Sequence, residues 1–184
     1  MEWLRGIDTA LFFIINKKLS SPVLDVVMPF ITDKSHLLVP AVILLILVIY
    51  RHKKAEIRLT VLMIITILSS DFAASTLKEV FMRVRPCHVL EGARVLTGCG
   101  GSYSFPSGHA TNIFAALVLL SLRYKKYTPF FLFCASLVAY SRVYVGVHYP
   151  LDVIGGAIIG AIIATTWHFL DKKGLKAIKK VIKH

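Results

Sequence analysis

The chain has 184 residues, 56% of them apolar and 17% charged, and a formal net charge of +12. Soluble domains run about 45–50% apolar and about 25% charged, so a mean hydropathy of +0.69 points to lipid as the solvent for most of this chain. That excludes a disordered protein and argues against a soluble nucleic-acid binder in spite of a pI near 9.8.

Residues 1–33 open with an apolar run, Trp3 to Asn16, interrupted by Arg5, Asp8 and Asn16 and ended by Lys17 and Lys18. Leu4, Ile7, Leu11, Ile14 and Ile15 share one helical face, as in a helix lying in the membrane interface. The next stretch, 22–32, is too short to span and contains Pro29. The region is read as interfacial, with a sixth spanning helix as the alternative. No small-residue cleavage pattern of a signal peptide follows the run.

Five further segments approach the roughly 20 apolar residues that cross about 30 Å of hydrocarbon: 35–50, 57–77, 108–122, 128–147 and 151–170. Residues 171–184 form a basic tail. The expectation is a single all-α integral membrane domain over 1–184, a bundle of five transmembrane helices.

More than half of the 22 Lys and Arg residues fall in three places: Arg51, Lys53, Lys54 and Arg58; Arg123, Lys125 and Lys126; and Lys172, Lys173, Lys176, Lys179, Lys180 and Lys183. Alternation of the spans puts all three on one face, which the positive-inside rule makes cytoplasmic. A nucleic-acid-binding arm is the rival reading of the tail; a topology signal explains all three clusters together. The opposite face keeps Lys78, Arg83, Arg85, Arg94 and Arg142, which topology does not require.

Three stretches on that outer face carry chemistry: Lys78-x6-Arg85-Pro86, Pro106-Ser107-Gly108-His109, and Ser141-Arg142-x5-His148-x3-Asp152. One Lys and two Arg can neutralise a phosphate dianion, and guanidinium groups match its oxygens bidentately. Ser107 and Gly108 precede a helix, so their amides and the helix dipole favour an anion, and Gly108 lets backbone approach it. Two histidines exceed what anion binding needs. His148 and Asp152 are spaced for one helical face, although Pro150 signals a turn instead. Either arrangement lets the carboxylate take one imidazole nitrogen and leaves the other nucleophilic. His109 then protonates the departing oxygen. The chemistry is phosphoryl transfer through a phosphohistidine, followed by attack of water.

These blocks resemble the three-part signature of the type 2 phosphatidic acid phosphatase superfamily, K-x6-R-P, P-S-G-H and S-R-x5-H-x3-D, with every position filled between Lys78 and Asp152. The resemblance, to the bacterial integral-membrane lipid phosphatase branch, implies hydrolysis of phosphomonoesters or diphosphates without a metal or other cofactor. It implies His148 as nucleophile, Asp152 as its partner, His109 as acid and base, and Lys78, Arg85, Ser107, Gly108 and Arg142 as phosphate ligands. Soluble vanadium haloperoxidases share the signature, but five apolar spans argue against that branch. Undecaprenyl diphosphate, lipid A 1-phosphate, phosphatidylglycerophosphate and phosphatidic acid are the substrates the resemblance offers. Selection among them falls to residues 1–33 and the loop 87–105. An anion or lipid-phosphate transporter or a non-catalytic membrane protein is the alternative, and each leaves His148, Asp152 and His109 unexplained.

Other features carry two readings each. Arg83 and Arg94 either steer a lipid headgroup or are solvated. Asp71 is expensive inside a span and caps a polar interhelical contact or acts in catalysis. Cys87 and Cys99 share the outer loop and are either bridged or free thiols; Cys134 lies in a span, and no metal-ligand spacing exists. Gly156 and Gly160 form either a dimerisation face or close packing within the monomer.

Overall fold

Backbone in lipid must satisfy its own hydrogen bonds, which leaves helices or closed barrels. The computed structural model, which describes residues 2–33 and 54–182, contains helices and turns and no strand among the described residues. The first predicted span, 35–50, lies outside them. In chain order the helices are α1 (Glu2–Phe13), running on through a π turn at Ile14–Lys18, α2 (Pro22–Thr32), α3 (Lys54–Phe81), α4 (Pro86–Val89), α5 (Gly108–Arg123), α6 (Thr128–Tyr144) and α7 (Pro150–Ile182).

The expected spans map onto α3, α5, α6 and α7 with shifted ends. Helix α3 runs on to Phe81, so Lys78 is in its last turn. Helix α6 stops at Tyr144, short of the expected 147. Helix α7 continues to Ile182, so most of the segment read as a tail is helix. The stretches Ile57–Val89 and Pro150–Gly174 are long and apolar enough to cross a membrane, while α5 and α6 have only 16 and 17 residues.

Helix α5 is the centre, packed by α7, α6 and α3. Lipid tails are as apolar as leucine, so helices in a bilayer associate through close backbone approach at small residues. A Cβ on Gly160 would sit 2.2 Å from the Thr111 carbonyl oxygen, and one on Gly156 would sit 2.7 Å from that of Ser107. Both glycines are therefore used inside the monomer, against α5. Their contact sets the start of α5 beside the start of α7.

Helix α1 is inside-out relative to a soluble helix. Asp8, Phe12 and Asn16 are buried, whereas Leu4, Ile7, Leu11 and Ile14 are exposed and Trp3 is 74% exposed. The apolar face suits lipid, and the polar interruptions point into the protein. The Asn16 amide donates to the carbonyls of Arg94 and Tyr144, both at 2.8 Å, and accepts from the Arg94 N–H at 2.8 Å. The N-terminal region is thus stitched to the loop after α4 and the end of α6.

Gly160→Val should lower the thermal midpoint of the detergent-purified protein by several degrees, since overpacking costs about 1–3 kcal/mol. Gly6→Ala, where a Cβ meets nothing within 4 Å, should leave it unchanged or raise it.

Candidate active site

The chain leaves α6 through a turn in which Gly146 has φ +88°, a conformation natural to glycine. A Cβ there would also sit 2.2 Å from the Arg94 carbonyl oxygen. This turn delivers His148 just before α7, and Pro150 occupies the first position of that helix. The spacing of His148 and Asp152 is therefore that of a turn entering a helix. Asp152, in the first turn, reaches back so that its Oδ2 accepts the Tyr149 N–H at 2.8 Å, as a carboxylate does in a capping box. The same oxygen accepts the Ser104 hydroxyl at 2.5 Å. Its neighbour Oδ1 takes the Arg83 guanidinium at 2.7 Å.

His148 is 2% exposed. Its Nδ1 lies 3.6 Å from Asp152 Oδ2 and 3.5 Å from the Ser104 hydroxyl, against the carboxylate but without a short hydrogen bond. Burial pushes the imidazole pKa down to about 4; Asp152 opposes this, and the charges of Arg85 and Arg142 add to it. At neutral pH the ring is uncharged and keeps a nucleophilic lone pair.

The predicted phosphate ligands converge on this turn. Lys78 donates to the Tyr103 carbonyl at 2.5 Å. Arg85 donates from Nε to the Ser102 carbonyl at 2.7 Å and from its terminal nitrogen to the Ser102 hydroxyl at 2.9 Å. Arg142 donates to the Thr32 hydroxyl at 2.5 Å. Lys78 lies within electrostatic reach of both arginines and of Asp152. Buried polar atoms are rarely left without a partner, yet Ser107 Oγ and Arg142 Nε have none. Both belong to residues that the motif assigns to phosphate.

Of the two amides expected to face the anion, one is already used: Ser107 N–H donates to the Asp152 carbonyl at 3.0 Å. Gly108 opens α5, and a Cβ built there meets nothing within 4 Å. Open space therefore stands where the helix dipole favours a negative charge. His109 and Arg142 line a cavity of about 680 Å³ whose other walls are Val26, Pro29, Phe30, Thr32 and Asp33, with Thr97 and Gly98 from the loop after α4.

Several residues around the site were not singled out from sequence for this role. Arg83 is a quarter exposed but both of its terminal nitrogens are held, one by Asp152 and the other by Asp8 at 2.6 Å. Arg94 is likewise held, by an ion pair with Asp25 and a bond to the Asn16 carbonyl at 3.1 Å. Ser104 and Thr32 are the uncharged partners of Asp152 and Arg142. The signal that could have found Asp8 and Asn16 is that each is polar within an apolar run, which in lipid marks a side facing protein. Asp71 accepts from the Asn112 amide at 2.9 Å, a polar contact between α3 and α5.

Cys87 and Cys99 form a disulfide with Cα atoms 6.3 Å apart, and Cys134 is free. With His88, these two sulfurs make the one group of three potential metal ligands among the described residues. Oxidised to a disulfide, the sulfurs are not thiolate ligands, so this cluster does not supply a metal site.

Residues 58–174 match the PAP2 superfamily, and the chain belongs to it. It is 30% identical to a lipid A 4′-phosphatase of Porphyromonas gingivalis over 96% of this chain and 77% of that protein. It is 32% identical to an undecaprenyl-diphosphatase of Sulfolobus acidocaldarius over 97% and 85% of the two chains. Among solved structures, it resembles the transmembrane PAP2-type phosphatidylglycerolphosphate phosphatase of Bacillus subtilis, with a TM-score of 0.77, 28% identity, and 94% and 88% of the two chains covered. Aquifex aeolicus LpxE gives a TM-score of 0.69 at 29% identity, covering 86% and 93%. The chain is a membrane hydrolase of lipid phosphates.

Because folding depresses the pKa of His148, the unfolded chain takes up its proton first as pH falls from about 6.5. Stability should therefore drop between that pH and about 4, and the drop should be smaller in His148→Gln. Thermal unfolding in detergent across this range measures it.

Proposed function

We propose that the protein cleaves the phosphate or diphosphate group from a membrane lipid by a two-step phosphoryl transfer centred on His148. In the first step His148 Nε2 attacks phosphorus while the bond to the departing oxygen breaks. His109 gives that oxygen a proton, and Asp152 stabilises the imidazolium through the Nδ1 side. In the second, His109 takes a proton from water as it attacks the phosphohistidine, releasing inorganic phosphate and restoring His148. Lys78, Arg85 and Arg142, with Ser107 and the Gly108 amide, hold the phosphoryl oxygens, and no metal is needed for charge stabilisation. The observation that carries this reading is a neutral, buried His148 set against Asp152 within reach of Arg85 and Arg142.

Of the five spans expected from the sequence, four are carried by α3, α5, α6 and α7, and the fifth, 35–50, lies outside the described residues. The basic clusters face the cytoplasm with the C-terminus, and the site opens on the outer side of the inner membrane of a bacterial cell. The whole chain acts as one domain. A site at the bilayer boundary suits a lipid whose phosphate stays at headgroup depth while its tails remain in the membrane. Undecaprenyl diphosphate, lipid A 1-phosphate, phosphatidylglycerophosphate and phosphatidic acid share the group that the phosphate ligands would hold. Discrimination among them is assigned to the cavity wall formed by α2, Thr97 and Gly98.

A phosphate-release panel over those four lipids in detergent, with p-nitrophenyl phosphate alongside, tests the class and ranks the substrates. His148→Ala should abolish release while membrane insertion and yield stay normal; full turnover in that variant would overturn the mechanism. Vanadate should inhibit as a mimic of the transferring phosphoryl group. EDTA should have little effect, and a strong, reversible loss with chelator would point instead to a metal enzyme.

A further inference from the structure

We infer that Arg83, fixed from behind by Asp8, is a positioning residue: it locks the Asp152 carboxylate so that Oδ2 faces His148, which makes the first helix part of the active site. The inference rests on reading His148 as the nucleophile and Asp152 as its partner.

The two oxygens of Asp152 have separate duties. Oδ1 is held by Arg83 at 2.7 Å, whereas Oδ2 meets the Tyr149 amide, the Ser104 hydroxyl and the His148 side. The terminal torsion of an aspartate is a broad well, so a cation on Oδ1 acts with the Tyr149 and Ser104 bonds on Oδ2 to stop the carboxylate from rotating. Arg83 is itself clamped on three sides. Its second terminal nitrogen is 2.6 Å from Asp8 Oδ2, and its guanidinium lies 4.0 Å from the centre of the Tyr149 ring. Asp8 Oδ1 in turn accepts the Leu151 N–H at 2.9 Å, beside Asp152 on the first turn of α7.

Burying a carboxylate as completely as Asp8 is unfavourable unless it is paired. Arg83 supplies that pairing and spans both acids, as a planar fork can and an ammonium cannot. The backbone is bent to allow it: Met82 adopts φ 44°, a left-handed conformation unusual for a residue with a side chain, just after α3. Such conformations persist where the surroundings demand them.

The charged and titratable groups around the His148–Asp152 pair include Lys78 from α3, Arg83 and Arg85 from the segment after it, Arg142 from α6, Tyr149 from the turn and, on the proposed mechanism, His109 from the first turn of α5. Asp8 from α1 stands behind Arg83. Removing Arg83 takes away the cation bonded to Asp152, which favours proton uptake by the pair.

The test uses the full chain in detergent with phosphatidic acid and undecaprenyl diphosphate in mixed micelles. Arg83→Lys keeps the charge but cannot bridge, and the double variant Asp8→Asn/Arg83→Gln removes both charges without orphaning either. Each should lose about 10–100-fold in kcat, as outer-shell partners of reacting groups do, with KM changed less than about twofold. The double variant should also move the acid limb of the kcat profile to higher pH. Methylguanidinium should partly restore kcat in Arg83→Gly.

Unchanged kcat in both variants overturns the inference. So does a loss that only tracks the fraction of folded protein at an unchanged pH profile, and so does a rise in KM matching the fall in kcat, which would make Arg83 a substrate ligand. If the double variant does not fold, Arg83→Lys decides alone. His148→Ala runs in parallel: turnover there sinks the phosphohistidine reading itself, whereas an inactive His148→Ala beside normal Arg83 variants sinks only this inference.

Discussion

Like charges gathered in one site repel, and this end of the bundle depends on how three cations are held there. Lys78, Arg85 and Arg142 each rest on uncharged acceptors: the Tyr103 carbonyl, the Ser102 carbonyl and hydroxyl, and the Thr32 hydroxyl. A neutral acceptor fixes a cation without cancelling it, so the positive potential is kept for a phosphate dianion. Arg83 and Arg94 are treated in the opposite way, each neutralised by carboxylates at Asp8 and Asp152 or at Asp25. This end of the bundle therefore carries two kinds of arginine, one left electrostatically open and one spent on architecture. The acceptors for the open kind come from the 102–103 loop and the end of α2, so that loop and the N-terminal region are requirements of the site.

The candidate site residues were legible in the sequence because their spacing is dense in chemistry and tied to the ends of apolar runs. How they are held was not. His148 and Asp152 stand four positions apart in a helix face and in a turn alike, and the choice was made by Pro150 and by the capping bond that Asp152 accepts from the Tyr149 amide. Helix ends were misjudged for a related reason. Hydropathy marks the part of a helix that lies in lipid, whereas the backbone ladder continues past it, as in α7 through Ile182. It also stops earlier where a glycine turn takes over, as after Tyr144.

Long-range pairing is the part a single sequence hides. Asp8 and Arg83 are 75 residues apart, and Asn16 and Tyr144 are 128 apart. Each of these polar residues, taken alone, reads as a blemish in an apolar run or as one more surface charge. In lipid the sense of amphipathicity reverses. The residues that interrupt α1 are the ones that attach it, and its apolar stripe, although visible in the sequence, faces away from the protein.

The continuity of α7 has one more effect. Asp152 stands in its first turn, and Asp171 closes its apolar stretch, where it is bound by Arg58 from α3 at 2.6 Å. The rise between the two acids is about 28 Å at about 1.5 Å per residue, close to the roughly 30 Å thickness of a hydrocarbon core. The helix is therefore a ruler. The stretch between the two acids matches the hydrocarbon core, so on the proposed mechanism the bilayer itself would act as a working part of the enzyme, bringing a lipid's phosphate level with His148.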